Sequence, residues 1–238
     1  MTSLSAKPST VSNHSTGLRE LDAGEVHLWL CRRDAVADST TFCRQVLSRY
    51  AALSPQDWQF EHFGEGKPRL VDGQAELDFN LSHSAELLVC AVTAGDPVGV
   101  DIEFEKPARD VMRLASRFFS EAEVAALEAC EASRQRARFY DLWTLKEATV
   151  KSRGEALAPL LKNVSFCLDY KADAVAVISS LSNDPVAGLA LFEPAPNYRL
   201  ALCLPSSSGE QPDVRYFRWL GPVDYTEEPL PLLATSLA

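Results

Sequence analysis

Asp101 and Glu103 stand two residues apart in Gly99-Val100-Asp101-Ile102-Glu103, a run of β-favouring residues. That spacing sends both carboxylates from one face of a strand. Further along, Trp143, Glu147 and Lys151 recur at four-residue spacing, so one helix face carries an aromatic ring, an acid and a base. Carboxylates from two such elements can hold a hard cation such as Mg²⁺, which takes one or two of them and fills its octahedron with water and substrate phosphate oxygens. Each half also has a plainer reading, as solvated acids on a strand edge and as an exposed i,i+4 pair on a helix. Gly99 permits close approach of another backbone, and Trp143 is costly to leave in water; both favour the site. Asp101 and Glu147 are then expected to face the ion and not the core. Lys146 and Lys151 flank Glu147, as suits a place where anions arrive.

A second polar cluster, Asn80-Leu81-Ser82-His83-Ser84, ends a short apolar run. It reads either as a turn or as a phosphate cradle in which serine hydroxyls, backbone amides and His83 donate. Gly66-Lys67-Pro68 places an ammonium on a stiff loop. His14, His27 and His62 have no evident partners. The sequence has no Gly-rich P-loop, no GxSxG and no HExxH, so no nucleophilic side chain is indicated. The acidic trio points to phosphoryl chemistry by metal-assisted positioning and electrostatics.

The elements that must position these residues can be read in outline. Strands are predicted at 26–30, 79–84, 87–92 and 98–103, the third and fourth joined by the turn Ala94-Gly95-Asp96-Pro97. Helical stripes cover 40–52, 111–119 and 134–153. Ser120-Glu121-Ala122-Glu123 has capping-box spacing, and Gly154 is a natural helix stop. Further strands are predicted near 164–168, 174–178 and 198–204. The pattern gives an α+β chain: a mobile arm (1–20), a first α+β lobe (21–98), a second α+β lobe (99–205) and a partly ordered tail (206–238).

The formal charge of −10 argues against a nucleic-acid binder, which would need a dense basic surface. Six cysteines without CxxC spacing read as reduced thiols, mostly in the core. No apolar run approaches a membrane span, and the polar first twenty residues lack an apolar signal region, so a cytoplasmic location is the expectation.

Taken in order, Gly-Lys-Pro (66–68), Phe-Asn-Leu-Ser-His-Ser (79–84), Gly-Val-Asp-Ile-Glu (99–103), Phe-Phe-Ser-x-x-Glu (118–123) and Trp-x-x-Lys-Glu-Ala-x-x-Lys (143–151) resemble the surfactin-type 4′-phosphopantetheinyl transferases. The resemblance covers roughly residues 25–205. It implies two pseudo-symmetric α+β lobes with the active site at their interface. It also implies transfer of phosphopantetheine from coenzyme A to a serine of an apo acyl or peptidyl carrier protein, releasing adenosine 3′,5′-bisphosphate. By position it assigns Mg²⁺ to Asp101, Glu103 and Glu147, the base to Glu147, and charge stabilisation to Lys151. Lys67, Pro68, Ser82, His83, Lys151 and Arg33 would bind coenzyme A. A monomer is expected, working with neither nucleic acid nor membrane. An acidic carrier would need a local basic patch, for which Arg113, Arg117, Arg134, Arg136 and Arg138 are candidates.

The chain departs from the family twice. The basic stretch after the first strand is reduced to Arg32-Arg33-Asp34 before the helix containing Arg44, and the second glycine of the Lys-x-x-Gly-x-Gly-Leu pattern is Ala156. The shortening admits a second hypothesis, a coenzyme A-binding regulatory homologue with lost or altered turnover. A metal-dependent phosphatase or nuclease, which shares the acidic trio, is a third.

Overall fold

Leu87–Thr93 is buried along its whole length, which marks it as a central strand covered on both faces. Glu25–Arg32 alternates instead between two cores: Val26, Leu28 and Leu30 join one apolar cluster, Trp29 and Cys31 another. In the computed structural model, residues 18–61, 67–154, 161–162, 164–169, 174–179, 187–205 and 213–236 are described. The chain runs first through β1 (Glu25–Arg32), α1 (Ser39–Leu47), β2 (Phe60–Glu61), β3 (Arg69–Leu70), β4 (Asp78–Ser84) and β5 (Leu87–Thr93). It continues through β6 (Gly99–Phe104), α2 (Val111–Phe118), α3 (Glu121–Glu128), α4 (Ala132–Arg153), β7 (Ser165–Asp169), β8 (Ala174–Ser179), β9 (Ala187–Phe192) and β10 (Tyr198–Pro205). After these come β11 (Asp213–Trp219), β12 (Tyr225–Glu227) and β13 (Leu232–Ser236).

Two large sheets form, with strand orders β12-β11-β1-β5-β4 and β6-β10-β9-β13-β8-β7. One apolar core lies between α1 and the first sheet, one is shared by strands of both sheets, and one lies between the second sheet and helices α2–α4. The mixed α+β class agrees with expectation.

Strands β4 and β6 are the edges at which the sheets meet. Four alternate side chains of β4 accept hydrogen bonds from four alternate amides on and just before β6. Asp78 Oδ2 takes Val98 N (2.8 Å), Asn80 Oδ1 takes Val100 N (2.8 Å), Ser82 Oγ takes Ile102 N (3.3 Å) and Ser84 Oγ takes Phe104 N (3.0 Å). A polar side-chain ladder thus closes an edge that a backbone ladder would otherwise have to pair. On the other face of β6, helix α4 presses close at Gly99. A Cβ there would overlap the Ala148 carbonyl and the Ser152 amide, so only glycine lets the helix lie this near the strand.

Helix ends follow their sequence signals. Asp38 and Asp110 cap α1 and α2, Ser120 and Glu123 form the predicted capping box of α3, and Gly154 ends α4 in the left-handed region at φ +68°. The helical stripe expected over 40–52 stops at Leu47.

Several expectations need correction. The stretch 206–238, expected as a partly ordered tail, supplies three strands: β11 pairs in parallel with β1, β12 edges the first sheet, and β13 lies inside the second, between β9 and β8. The expected mobile arm lies outside the described residues except at 18–20. There the Arg19 guanidinium stacks 4.0 Å from the Phe217 ring centroid and donates to Tyr225 Oη. His27 is fully buried and does have partners. The Trp29 indole donates to Tyr50 Oη (2.7 Å), which shares a hydrogen bond with His27 Nδ1 (2.8 Å), and His27 Nε2 lies 3.1 Å from Glu25 Oε1. Burial pushes the pKa of His27 down to about 4. Four cysteines are buried, Cys130 is half-buried and Cys167 is exposed, all as free thiols. No described helix is long and apolar enough to cross a membrane.

Candidate active site

Asp101 and Glu103 leave β6 on the face covered by α4, as their spacing requires, and meet Glu147 and Lys151 from that helix. Lys151 Nζ lies 2.6 Å from Asp101 Oδ1, 3.1 Å from Ser82 Oγ and 3.7 Å from Glu147 Oε2. Ser82 donates to Asp101 Oδ1 (2.8 Å) and Ser84 to Glu103 Oε2 (3.0 Å). The trio therefore assembles across the junction of the two sheets, held by β4 on one side and α4 on the other. Contrary to expectation Asp101 belongs to the interior, only 2 % exposed. It faces its partners from a buried position.

One ammonium among three carboxylates leaves the site short of positive charge. Burial pushes the pKa of Glu147 up to about 8, and Asp101 and Glu103 add to the shift against the pull of Lys151. Glu103 is raised by burial and by Asp101, although Ser84, Arg109 and Lys106 oppose the shift. Burial works against the charge on Lys151, but Asp101 and Glu147 outweigh it and hold the ammonium protonated. Arg199, the nearest large cation on β10, is committed to Asp141 (2.8 Å), Glu105 (3.1 Å) and Glu193 (3.2 Å). Asp101 Oδ2 is buried with no hydrogen-bond partner.

A free buried carboxylate oxygen, two carboxyls raised by burial and by the charge of Asp101, and an all-oxygen donor set fit a hard divalent cation such as Mg²⁺. The side chains as they stand do not close into a ligand group: among the described residues no three His, Cys, Asp or Glu do so. Trp143, buried in a stack with Phe139 and edge-on to Phe118, supports the helix face beneath Glu147. Its indole N–H has no partner within hydrogen-bond distance but is close enough to Glu147 to favour the charged carboxylate.

The expected phosphate ligands divide. His83 is exposed on β4, free to meet an anion. Arg33 is exposed in the short turn after β1, where its amide donates to Glu86 O (2.8 Å), which places it at the corner where β4 and β5 turn. Ser82 is buried and committed to Asp101, Lys151 and the Ile102 amide. The Lys67 ammonium, 4 % exposed, pairs with Asp78 and donates to Val98 O (2.8 Å), so it braces the junction. Pro68 is half-buried beside it. A cleft of about 670 Å³ opens along this end of the junction, lined by Lys67, Arg69, Asp72, Asp78, Arg153 and Gly154 among others.

Lys146 does not flank the site. It is fully buried, pairs with Glu123 at 2.8 Å and donates to the carbonyls of Leu161 (2.7 Å) and Val164. Of the arginines expected to form a docking patch, Arg113, Arg117 and Arg134 are exposed. Arg136 instead donates to Lys106 O (2.6 Å) and Arg109 O (3.1 Å), and Arg138 to Leu168 O (3.1 Å). The sequence reading missed Asp78, and it missed that Asn80 and Ser84 serve the junction. The signal was present in the strict polar alternation of Asp78, Asn80, Ser82 and Ser84. Ala156 lies outside the described residues.

The family model described as the 4′-phosphopantetheinyl transferase superfamily matches residues 97–203, the stretch that carries all three carboxylates and Lys151. The chain is similar to 4′-phosphopantetheinyl transferase Sfp of Bacillus subtilis, with 33% identity over 160 residues, 67% of this chain and 69% of that protein. It is similar to HetI of a Nostoc species, 38% identical over 119 residues, 49% of this chain and 50% of that protein. AcpT of Salmonella typhi is 41% identical over 111 residues, 47% of this chain and 56% of that protein. The matched stretch thus spans about half the length of HetI and AcpT and over two thirds of Sfp.

Proposed function

Because the chain belongs to the 4′-phosphopantetheinyl transferase family, we propose that it moves the 4′-phosphopantetheine group of coenzyme A to a serine hydroxyl of an acyl or peptidyl carrier protein. Adenosine 3′,5′-bisphosphate is the second product. The observation that carries this reading is the trio Asp101, Glu103 and Glu147, gathered at the junction of the sheets around Lys151, with Asp101 Oδ2 free.

In this reading Asp101, Glu103 and Glu147 hold Mg²⁺. When bound, the ion neutralises the pyrophosphate of coenzyme A. Glu147, which must be deprotonated to hold the cation, would then accept the proton that the carrier serine gives up, directly or through water. The serine oxygen bonds to the phosphorus that carries pantetheine, and the bond from that phosphorus to the nucleotide oxygen breaks. Lys151, kept protonated by Asp101 and Glu147, steadies the charge that grows on the leaving phosphate. His83 and Arg33 meet coenzyme A phosphates at the open corner. The cleft beside Lys67 and Pro68 has the volume of a small-ligand site and takes the nucleotide end. Both halves of the site come from one chain, which supports action as a monomer. The formal charge of −10 does not favour nucleic acid as a partner, and a cytoplasmic setting suits coenzyme A and carrier proteins.

The test is to incubate the protein with coenzyme A, Mg²⁺ and an apo carrier protein and to weigh the carrier by mass spectrometry. A gain equal to one phosphopantetheine is expected. Coenzyme A binding without that gain would be the result of a regulatory homologue, and release of inorganic phosphate would point to a phosphatase.

A further inference from the structure

Two serines on β4 treat two carboxylates on β6 in the same way. Ser82 Oγ accepts from the Ile102 amide (3.3 Å) and donates to Asp101 Oδ1 (2.8 Å). Ser84 Oγ accepts from the Phe104 amide (3.0 Å) and donates to Glu103 Oε2 (3.0 Å). In each case the backbone amide that follows the carboxylate pins the serine that holds it. The two carboxylates differ in what else restrains them. Asp101 also has Lys151 at 2.6 Å. Glu103 has no cation within ion-pair distance among the described residues, and its hydrogen bond comes from Ser84. Ser84 is only 7 % exposed, so it is shielded from anything that enters the site.

We propose that Ser84 is a positioning residue that acts through Glu103: it fixes one carboxylate oxygen so that the other is presented to the divalent cation, and this sets the cation affinity. The inference rests on the metal reading of the trio. A glutamate has three side-chain torsions, and without the Ser84 bond nothing among the described residues would hold the Glu103 carboxylate beside the like charge of Asp101, two residues away on the same face of β6. Partners that orient a metal ligand from outside change metal affinity by about 10–100-fold when removed. Because β4 and β6 belong to different sheets, the ligand from one sheet is held by the other.

Mn²⁺ is titrated into the whole chain in the presence of coenzyme A, and binding is followed by loss of the free-ion electron paramagnetic resonance signal. The proteins compared are the wild type, Ser84→Ala, Ser84→Thr, Glu103→Gln and the Ser84→Ala/Glu103→Gln double variant. Ser84→Ala should weaken Mn²⁺ binding about tenfold or more. Ser84→Thr keeps the hydroxyl and should stay within about threefold of wild type, as a rescue by the conservative variant requires. On the Glu103→Gln background Ser84→Ala should add less than about twofold, since its route of action is already gone. Thermal unfolding of the same samples checks the fold. If Ser84→Ala does not fold, Ser84→Cys, a weaker donor in the same place, should show an intermediate loss. Wild-type affinity in Ser84→Ala, or the same loss with and without Glu103, overturns the inference. A wild type that binds no Mn²⁺ overturns the metal reading itself and this inference with it.

Discussion

Helix α4 carries two lysine–carboxylate pairs five positions apart, and they do opposite things. Lys146 and Glu123 are both fully buried, and every polar atom near them is used: Glu123 also accepts from the Ser120 amide and hydroxyl and from the Phe166 amide, while Lys146 serves two loop carbonyls. That pair is closed. It ties α3, α4 and the start of β7 together, and its charges have nothing left to offer. Lys151 and Asp101 form a contact of similar length, yet the lysine is 24% exposed, one aspartate oxygen is unpartnered, and two more carboxylates crowd the same space. Saturation separates a structural ion pair from a functional one. A buried pair with all its partners specifies packing, whereas a pair short of positive charge is poised to take a ligand.

Breaking the closed pair should have the largest effect on the fold. Lys146→Met leaves Glu123 charged and unpaired inside, and removal of one partner of a buried pair costs about 3–5 kcal/mol. Denaturant unfolding should show that loss, whereas Lys151→Met, which takes the ammonium from the buried Asp101, should cost less because Lys151 is 24% exposed and the crowded carboxyls can relieve the loss by holding a proton. Equal losses for the two lysines would erase the distinction. On activity the order reverses. Asp101→Asn, Glu147→Gln and Lys151→Met should each lower kcat by about 10²–10³, the scale for removing one electrostatic contact to a transition state. Steady-state transfer rates for folded protein check this, and a near-normal rate in any one removes that residue from the site.

The pH response sharpens the contrast. Glu147, raised to about 8, holds its proton at neutral pH when no cation is bound, and a cation must displace it. Divalent-cation affinity should therefore climb with pH, by at most about tenfold per unit, and level off above about 8. For the cation-free fold the sign is opposite. This carboxyl is raised from an ordinary 4.5, so its contribution to stability is complete below about 4.5 and lost as pH rises through about 8. Calorimetric titration and melting curves from pH 5 to 9 (about the span of these pKa values) test both signs. Glu147→Gln should flatten both. The smallest effect belongs to the open corner. His83→Ala should raise the KM for coenzyme A several-fold and change kcat by less than about twofold, because a contact remote from the breaking bond binds substrate and transition state alike. A large fall in kcat with KM unchanged would move His83 among the catalytic groups.

What could be read from the sequence is what local chemistry dictates. Strands β4 to β6, the capping box at Ser120 and the stop at Gly154 are each written in adjacent residues. Period-two and period-four spacing brought Asp101, Glu103, Glu147 and Lys151 to facing surfaces, and Gly99 signalled the close approach between them. The misses share a cause in sequence distance. The role of Lys146 depends on carbonyls at Leu161 and Val164, and lysine in a helix otherwise reads as solvated. His27 finds Tyr50 only through the packing of α1 on the first sheet. Strand β9 contains Gly188, which weakens its signal, and β11, despite strand-favouring Val214, Tyr216, Phe217 and Trp219, follows prolines and serines that read as loop, so its pairing with β1 was not legible locally.

Glu25 of β1 pairs with Asp213 of β11, and β13 fills the gap between β9 and β8. Among the described strands the first in sequence is therefore completed by one of the last three, and the second sheet waits in the same way. Neither sheet can close before β11 and β13 have been synthesised, however well α4 and its neighbours have formed. Such late, long-range closure gives a high contact order and slow folding. A nascent chain stalled before residue 213 exposes the open flanks of β1 and β9 together, two templates for aggregation in a molecule whose finished form has neither.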